Sequence, residues 1–214
     1  MRFRAASALR MTITASFLLL ASPPGPAFAA DSVPETLKSS EILRGHFVQD
    51  RQLSGFAKPL RTTGVFVLVP GRGLIWRSTT PFQNTTVITP EGILGQVNGQ
   101  ETLRLPASRM PGLAHLYEVL GGALSGNVTP LEQTFAVKRS EVAGGWQMVL
   151  TPLHPDNPAM SQIKSLMVAG HQFVETIEID KDGGDVDRLS FSDQSTASSP
   201  LTADENGLLG TLHK

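Results

Sequence analysis

Gly64-Val65-Phe66-Val67-Leu68-Val69-Pro70-Gly71-Arg72-Gly73-Leu74-Ile75-Trp76-Arg77 reads as two strands around a tight turn. The first strand starts at about Thr62 and runs to Val69. Pro70-Gly71-Arg72-Gly73 has the composition of a turn, and Leu74–Arg77 resumes in β-favouring residues. A sheet with one wet face alternates polar and apolar side chains. The five residues Val65–Val69 are all apolar, so this strand is covered on both faces, by a second sheet, by curvature or by helices.

The same punctuation extends in both directions. From Gly45 to Asp187, β-branched and apolar runs recur about every ten residues between Gly, Pro, Asn and Asp clusters, the rhythm of an antiparallel sheet. Strands are expected around Phe47-Val48, Thr62–Val69, Leu74–Arg77, Thr85–Thr89, Ile93–Val97, Phe135–Val137, Trp146–Leu150, Leu166–Val168, Phe173–Ile179 and Leu189–Phe191. The short links between them suit hairpins, because parallel crossovers need a dozen or more residues. Ten strands strain a flat sheet, so the expected fold is mainly β: a curled antiparallel sheet forming an incomplete β-barrel, a half-barrel with helices over its concave face.

Two helices are expected. Ser32 and Glu35 have capping-box spacing, with Pro34 in the first turn, which predicts a short helix reaching about Leu43. Between Pro111 and Leu124, the residues Leu113, Leu116, Tyr117, Leu120 and Leu124 fall on one helical face. Gly121 and Gly122 weaken that helix. After Phe191 the chain is rich in Ser, Thr and Ala, and residues 191–214 are expected to be a loosely attached tail.

Arg2, Arg4 and Arg10 precede an apolar run from Met11 to Ala21 and an Ala27-Phe28-Ala29 pattern. This is a secretory signal peptide over residues 1–29, too short in its apolar part to span a membrane. Residues 30–214 are expected to form one domain. Without the leader, 15 basic residues face 19 acidic ones, a net charge of −4, which argues against nucleic acid as a partner. The chain has no cysteine, so thiol catalysis, thiolate metal sites and a disulfide framework are excluded. Secretion without cysteine suits a bacterial periplasm and a soluble monomer.

Chemistry-bearing motifs are missing. His46, His115, His154, His171 and His213 show no metal-ligand spacing, and Asp180, Asp182, Asp185 and Asp187 around Gly183-Gly184 do not follow the calcium-loop pattern. There is no G-x-S-x-G, S-x-x-K or H-E-x-x-H, and Gly71-Arg72-Gly73 lacks a phosphate-loop ending. No catalytic residue, metal or cofactor is expected. A secreted β chain with one amphipathic lid segment points to a carrier, or to an interaction module that senses envelope lipids or proteins. If its interior is hollow, lipid chains fit it. The residues expected to line that space are Val65, Val67, Leu74 and Trp76 on the sheet and Leu113, Leu116, Tyr117 and Leu120 on the lid.

The order of motifs carries a resemblance. Gly45-His46-Phe47-Val48-Gln49, Gly64-Val65-Phe66-Val67, the Pro70 turn, Leu74-Ile75-Trp76, the Leu-rich segment and Leu150-Thr151-Pro152, continuing to Phe191, resemble the periplasmic outer-membrane lipoprotein carrier (LolA-like) family. The resemblance spans about Pro34 to Phe191. It implies an apolar cavity for the acyl chains of lipoproteins or another lipidic cargo, an inner-membrane donor, an outer-membrane acceptor and no covalent chemistry. The chain departs from the family where Val69 precedes Pro70, a position often held by a lid-latching arginine. The family's usual C-terminal extension is likewise not evident after Phe191, which suits a divergent paralogue.

Overall fold

The computed structural model describes residues 36–38, 41–109, 120–127, 129, 131–157, 162–197 and 200–213. Eleven strands form one sheet: β1 (Ile42–Gln52), β2 (Leu60–Val69), β3 (Gly73–Thr80), β4 (Asn84–Thr89), β5 (Gly92–Val97), β6 (Gln100–Pro106), β7 (Phe135–Val142), β8 (Gly145–Pro152), β9 (Ile163–Gly170), β10 (Val174–Lys181) and β11 (Val186–Ala197). The spatial order is β6-β5-β4-β3-β2-β1-β11-β10-β9-β8-β7, and every neighbouring pair is antiparallel. Two meanders, β1–β6 and β7–β11, are therefore joined at the centre by the first and last strands.

That order makes β6 and β7 the two edges, although they are consecutive in sequence. The link between them has to travel from one side of the sheet to the other, and its described parts pack on one face. Residues 120–125 are helical and Leu131–Gln133 form a 3-10 turn. Ala123, Leu124 and Leu131 are buried in the main core with residues from both meanders. The Leu37 amide donates to the Ser125 carbonyl at 2.9 Å, tying the N-terminal segment to that helix, and Leu37 joins the same core.

Four sequence expectations need correction. Residues 36–38 are not helical, and Ile42 and Leu43, placed at the end of the first helix, open β1 instead. Glu41 is also non-helical, and the other residues of that helix lie outside the described ones, as do the leader and most of the Pro111–Leu124 helix, of which 120–124 are helical as expected. The strand count is eleven rather than ten because β6, Gln-Glu-Thr-Leu-Arg-Leu-Pro, is an edge strand exposed along most of its length. Such a strand needs no apolar alternation, and its Glu101 and Arg104 suit an edge that must not pair further.

The tail is the fourth correction. β11 continues to Ala197, and Ala203–Gly210 form a helix, α1, on the opposite face of the sheet. Leu208 and Leu209 bury there in a second apolar cluster with Ile42, Val67, Val69, Ile75, Val87 and Leu94. This explains the all-apolar run Val65–Val69: Phe66 and Leu68 belong to the main core, Val67 and Val69 to the cluster under α1. Both faces of β2 are covered because the main core lies on one and α1 packs on the other.

Glycine is required where β1, β2 and β3 crowd together. A β-carbon on Gly64 would stand 1.9 Å from the Arg77 carbonyl oxygen and 2.8 Å from Phe47 Cε1, at a register irregularity between β2 and β3. Backbone cannot yield as a flexible side chain does. Gly64→Ala is therefore expected to destabilise the fold by about 1–3 kcal/mol, read as a lower urea midpoint at unchanged slope.

Candidate functional site

The main core draws buried side chains from nine of the eleven strands, with Ile93 of β5 partly buried against it. Its centre is aromatic. The Phe47 and Trp76 rings stack with centroids 3.9 Å apart, Phe66 lies 6.2 Å from Trp76, and Phe191 meets both edge-on at 5.5 and 6.2 Å. Four rings from β1, β2, β3 and β11 thus share one face. Trp76 itself is only partly buried against this core.

The sequence-expected site residues divide between the two faces. In the β2–β3 hairpin Leu68 pairs with Leu74 and Phe66 with Trp76, while Val65 pairs with Arg77 and Val67 with Ile75. Directly opposed residues share a face. Leu74 and Trp76 therefore belong to the aromatic face, together with Leu120 of the helical segment. Val65 and Val67 face the other way, where Val67 packs near α1. Leu113, Leu116 and Tyr117 lie outside the described residues. The aromatic partners Phe47, Phe66 and Phe191 were not singled out from sequence, although two of them stand in motifs that carried the family resemblance.

Val65 and Val67 line a different feature, a groove of about 360 Å³ beside α1 with Ile75, Arg44, Arg77 and Glu205 on its walls. Its charges are engaged. Arg44 Nη2 donates to Glu205 Oε2 at 2.9 Å, Arg77 donates to Asp204, and Arg72 donates to Asn206 Oδ1 at 2.9 Å. Arg104 adds a hydrogen bond to the Thr211 carbonyl at 3.1 Å. Thr202 and Glu205 form a capping box at the start of α1, which satisfies two helix-end amides. Arginines from three strands and one turn thus clasp the C-terminal helix to the sheet. Val69, which precedes Pro70, is buried in the cluster beneath it.

Two buried carboxylates carry charge. Asp187, 4% exposed, accepts from Arg51 Nε at 2.7 Å and from Lys181 Nζ at 2.5 Å. Burial alone would raise its pKa, but the hydrogen bonds and charges of Arg51 and Lys181 outweigh burial and hold it below the usual carboxylate value. Glu205 is governed in the same way: burial opposes its charge, and Arg44 with the Thr202 backbone and hydroxyl lower its pKa on balance. Among the described residues no group of three or more His, Asp or Glu side chains is placed to hold a metal ion.

The described residues thus form one antiparallel sheet with an apolar, aromatic-centred face on which a short helical segment packs. A family profile described as outer membrane lipoprotein carrier protein LolA-like matches residues 21–209, and the chain belongs to that family. No curated protein matches it in sequence. Among solved structures it is similar to a LolA superfamily protein from Nitrosomonas europaea, at 12% identity and TM-score 0.41 over 82% of this chain and 94% of that one. It is similar also to the MucA/MucB complex of Pseudomonas aeruginosa, at 12% identity and TM-score 0.42, covering 79% of this chain and 56% of that one. A third likeness is to LprF from Mycobacterium bovis, at 14% identity and TM-score 0.35 over 77% of this chain and 89% of that one.

The lowered carboxylate pKa values fix the sign of the acid response. A carboxyl whose folded pKa lies below its unfolded value near 4 stabilises the fold fully above that value and loses the contribution as pH falls through the folded pKa. Urea unfolding should therefore show falling stability below about pH 4. Glu205→Gln should cost about 2 kcal/mol at neutral pH, and its deficit against the unsubstituted protein should shrink at acid pH.

Proposed function

We propose that this chain is a periplasmic carrier that shields the acyl chains of a lipoprotein or another lipidic cargo and moves them towards the outer membrane. The observation that carries the proposal is the aromatic face around Trp76, which is continuous across both meanders and has a partly buried indole at its centre. Membership of the lipoprotein-carrier family supports it.

In this reading the sheet curls towards the aromatic face. β3 and β11 are three positions apart in the sheet, about 14 Å in a flat one, while the Trp76 and Phe191 rings stand 6.2 Å apart. Concave curvature brings such rings together. Cargo chains lie against Trp76 on the sheet, beside the fully buried Leu74, on the face where Leu120 of the helical segment packs. Each buried methylene contributes about 0.8 kcal/mol, so a chain leaves only for a site of similar apolarity. That requirement fits an inner-membrane donor and an outer-membrane acceptor. The protein contributes shielding and no covalent step.

The test is native mass spectrometry of the mature protein from a bacterial periplasm, followed by organic extraction of bound material. A lipid or lipoprotein adduct is expected. Titration with a fluorescent fatty acid gives the residue-level check: Trp76→Ala should weaken binding about tenfold or more, while Val65→Ala on the other face should leave it unchanged. An empty protein that ignores the probe would overturn the proposal.

A further inference from the structure

The ladder between β1 and β11 shifts register beside the aromatic rings. Arg44 stands opposite Ser195 and His46 opposite Ser192, so Asp193 and Gln194 together face the single residue Gly45. This is a β-bulge, and Asp193 takes the extra step with φ at +51°. Bulges re-aim side chains. Phe191 lies on the aromatic face, and strict alternation from it would turn Gln194 to the opposite side. With the extra residue inserted, the exposed Asp193 meets His46 Nδ1 at 3.3 Å and Gln194 turns in towards the rings.

Gly45 makes the space for it. Alternation along β1 puts Gly45 on the same face as Leu43 and Phe47, and a β-carbon there would stand 2.8 Å from Phe66 Cε1 and 3.0 Å from Gln194 Cγ. The Gln194 side chain therefore lies beside the Phe66 ring. Its amide is half satisfied. Nε2 donates to the Val174 carbonyl at 2.6 Å, and because a carbonyl only accepts, that bond fixes which amide atom is the oxygen. Oε1 is buried and accepts no hydrogen bond among the described residues. A buried acceptor without a donor is destabilising, and an apolar side chain in its place would not be.

We propose that Gln194 Oε1 is the polar anchor of the acyl site and accepts a hydrogen bond from an uncharged donor on the cargo, an amide N–H or a hydroxyl beside its hydrocarbon chain. This inference rests on the acyl-carrier reading above and narrows its cargo to amphiphiles with such a donor. Oε1 is sealed in the closed protein, so the donor reaches it as the cargo chain displaces the apolar side chains over it. A donor supplies the missing bond, and a chain without one leaves it missing. Sites that bond a polar group of their ligand reject the analogue lacking that group.

The experiment uses the delipidated mature protein and displacement of a bound fluorescent fatty acid by matched probes: N-methylpalmitamide against N,N-dimethylpalmitamide, and hexadecanol against hexadecyl methyl ether. Each pair shares a chain and differs in one donor. In at least one pair the donor-bearing probe is expected to bind about tenfold more tightly than its methylated partner, and that pair identifies the donor. Gln194→Met keeps the length of the side chain, removes the acceptor and should bring the ratio to about one with the methylated probe bound as before. Should that variant not fold, as judged by circular dichroism, the Gln194 side-chain carbonyl resonance of the unsubstituted protein decides: it should move with the donor-bearing probe and not with the methylated one. Ratios of one in both pairs on the unsubstituted protein overturn the inference and leave the carrier reading standing. So does a preference that persists in folded Gln194→Met, a substitution that weakens both members of a pair alike, or a carbonyl resonance that responds equally to both. Binding of no probe, the fluorescent fatty acid included, overturns both readings.

Discussion

The pairing of β1 with β11 is the constraint on which the rest depends. Each meander is local, strand following strand through short turns, and neither alone covers a large apolar surface. The central ladder from Ile42–Ala197 to Gln52–Val186 joins them and sets Phe47 beside Phe191 on one face. The arginine–carboxylate contact across that ladder links residues 136 positions apart. Closing so long a loop is entropically costly, so the joined sheet must recover that free energy through the continuous core it creates.

The two faces are then put to different uses. One carries aromatic rings, a partly buried indole and a helical segment on the link between the two edge strands. The other is sealed by α1, with leucines below and arginine contacts around it. Charged clasps are specific in direction even where their net stabilisation is small, because each arginine finds one partner on a helix whose start is fixed by a capping box.

Much of the sheet was legible because turn chemistry and β-branched runs are local signals. Facing was not. Val65–Val69 is apolar at every position, so alternation says nothing about which side each residue takes, and only the register of Leu68 against Leu74 decides it. That is why Val65 and Val67 read as neighbours of Trp76 and are not. β6 escaped notice because an exposed edge strand has no buried stripe to advertise it. The tail looked loose because Ser192–Ala197 is polar, yet those residues lie along β1. The Thr202–Glu205 spacing was the available clue to α1. The aromatic cluster could not be assembled beforehand, because it depends on the long-range pairing of the first and last strands.

The central position of β11 also has a consequence for synthesis order. A chain made from its N-terminus completes β1 through β6 with one long edge of β1 open and an apolar face only half enclosed. Backbone groups on such an edge are templates for intermolecular pairing. A product cut short before Val186 would keep that edge unpaired permanently. The final strand of this chain therefore protects the first, and premature termination anywhere before β11 should yield aggregates rather than a smaller folded protein.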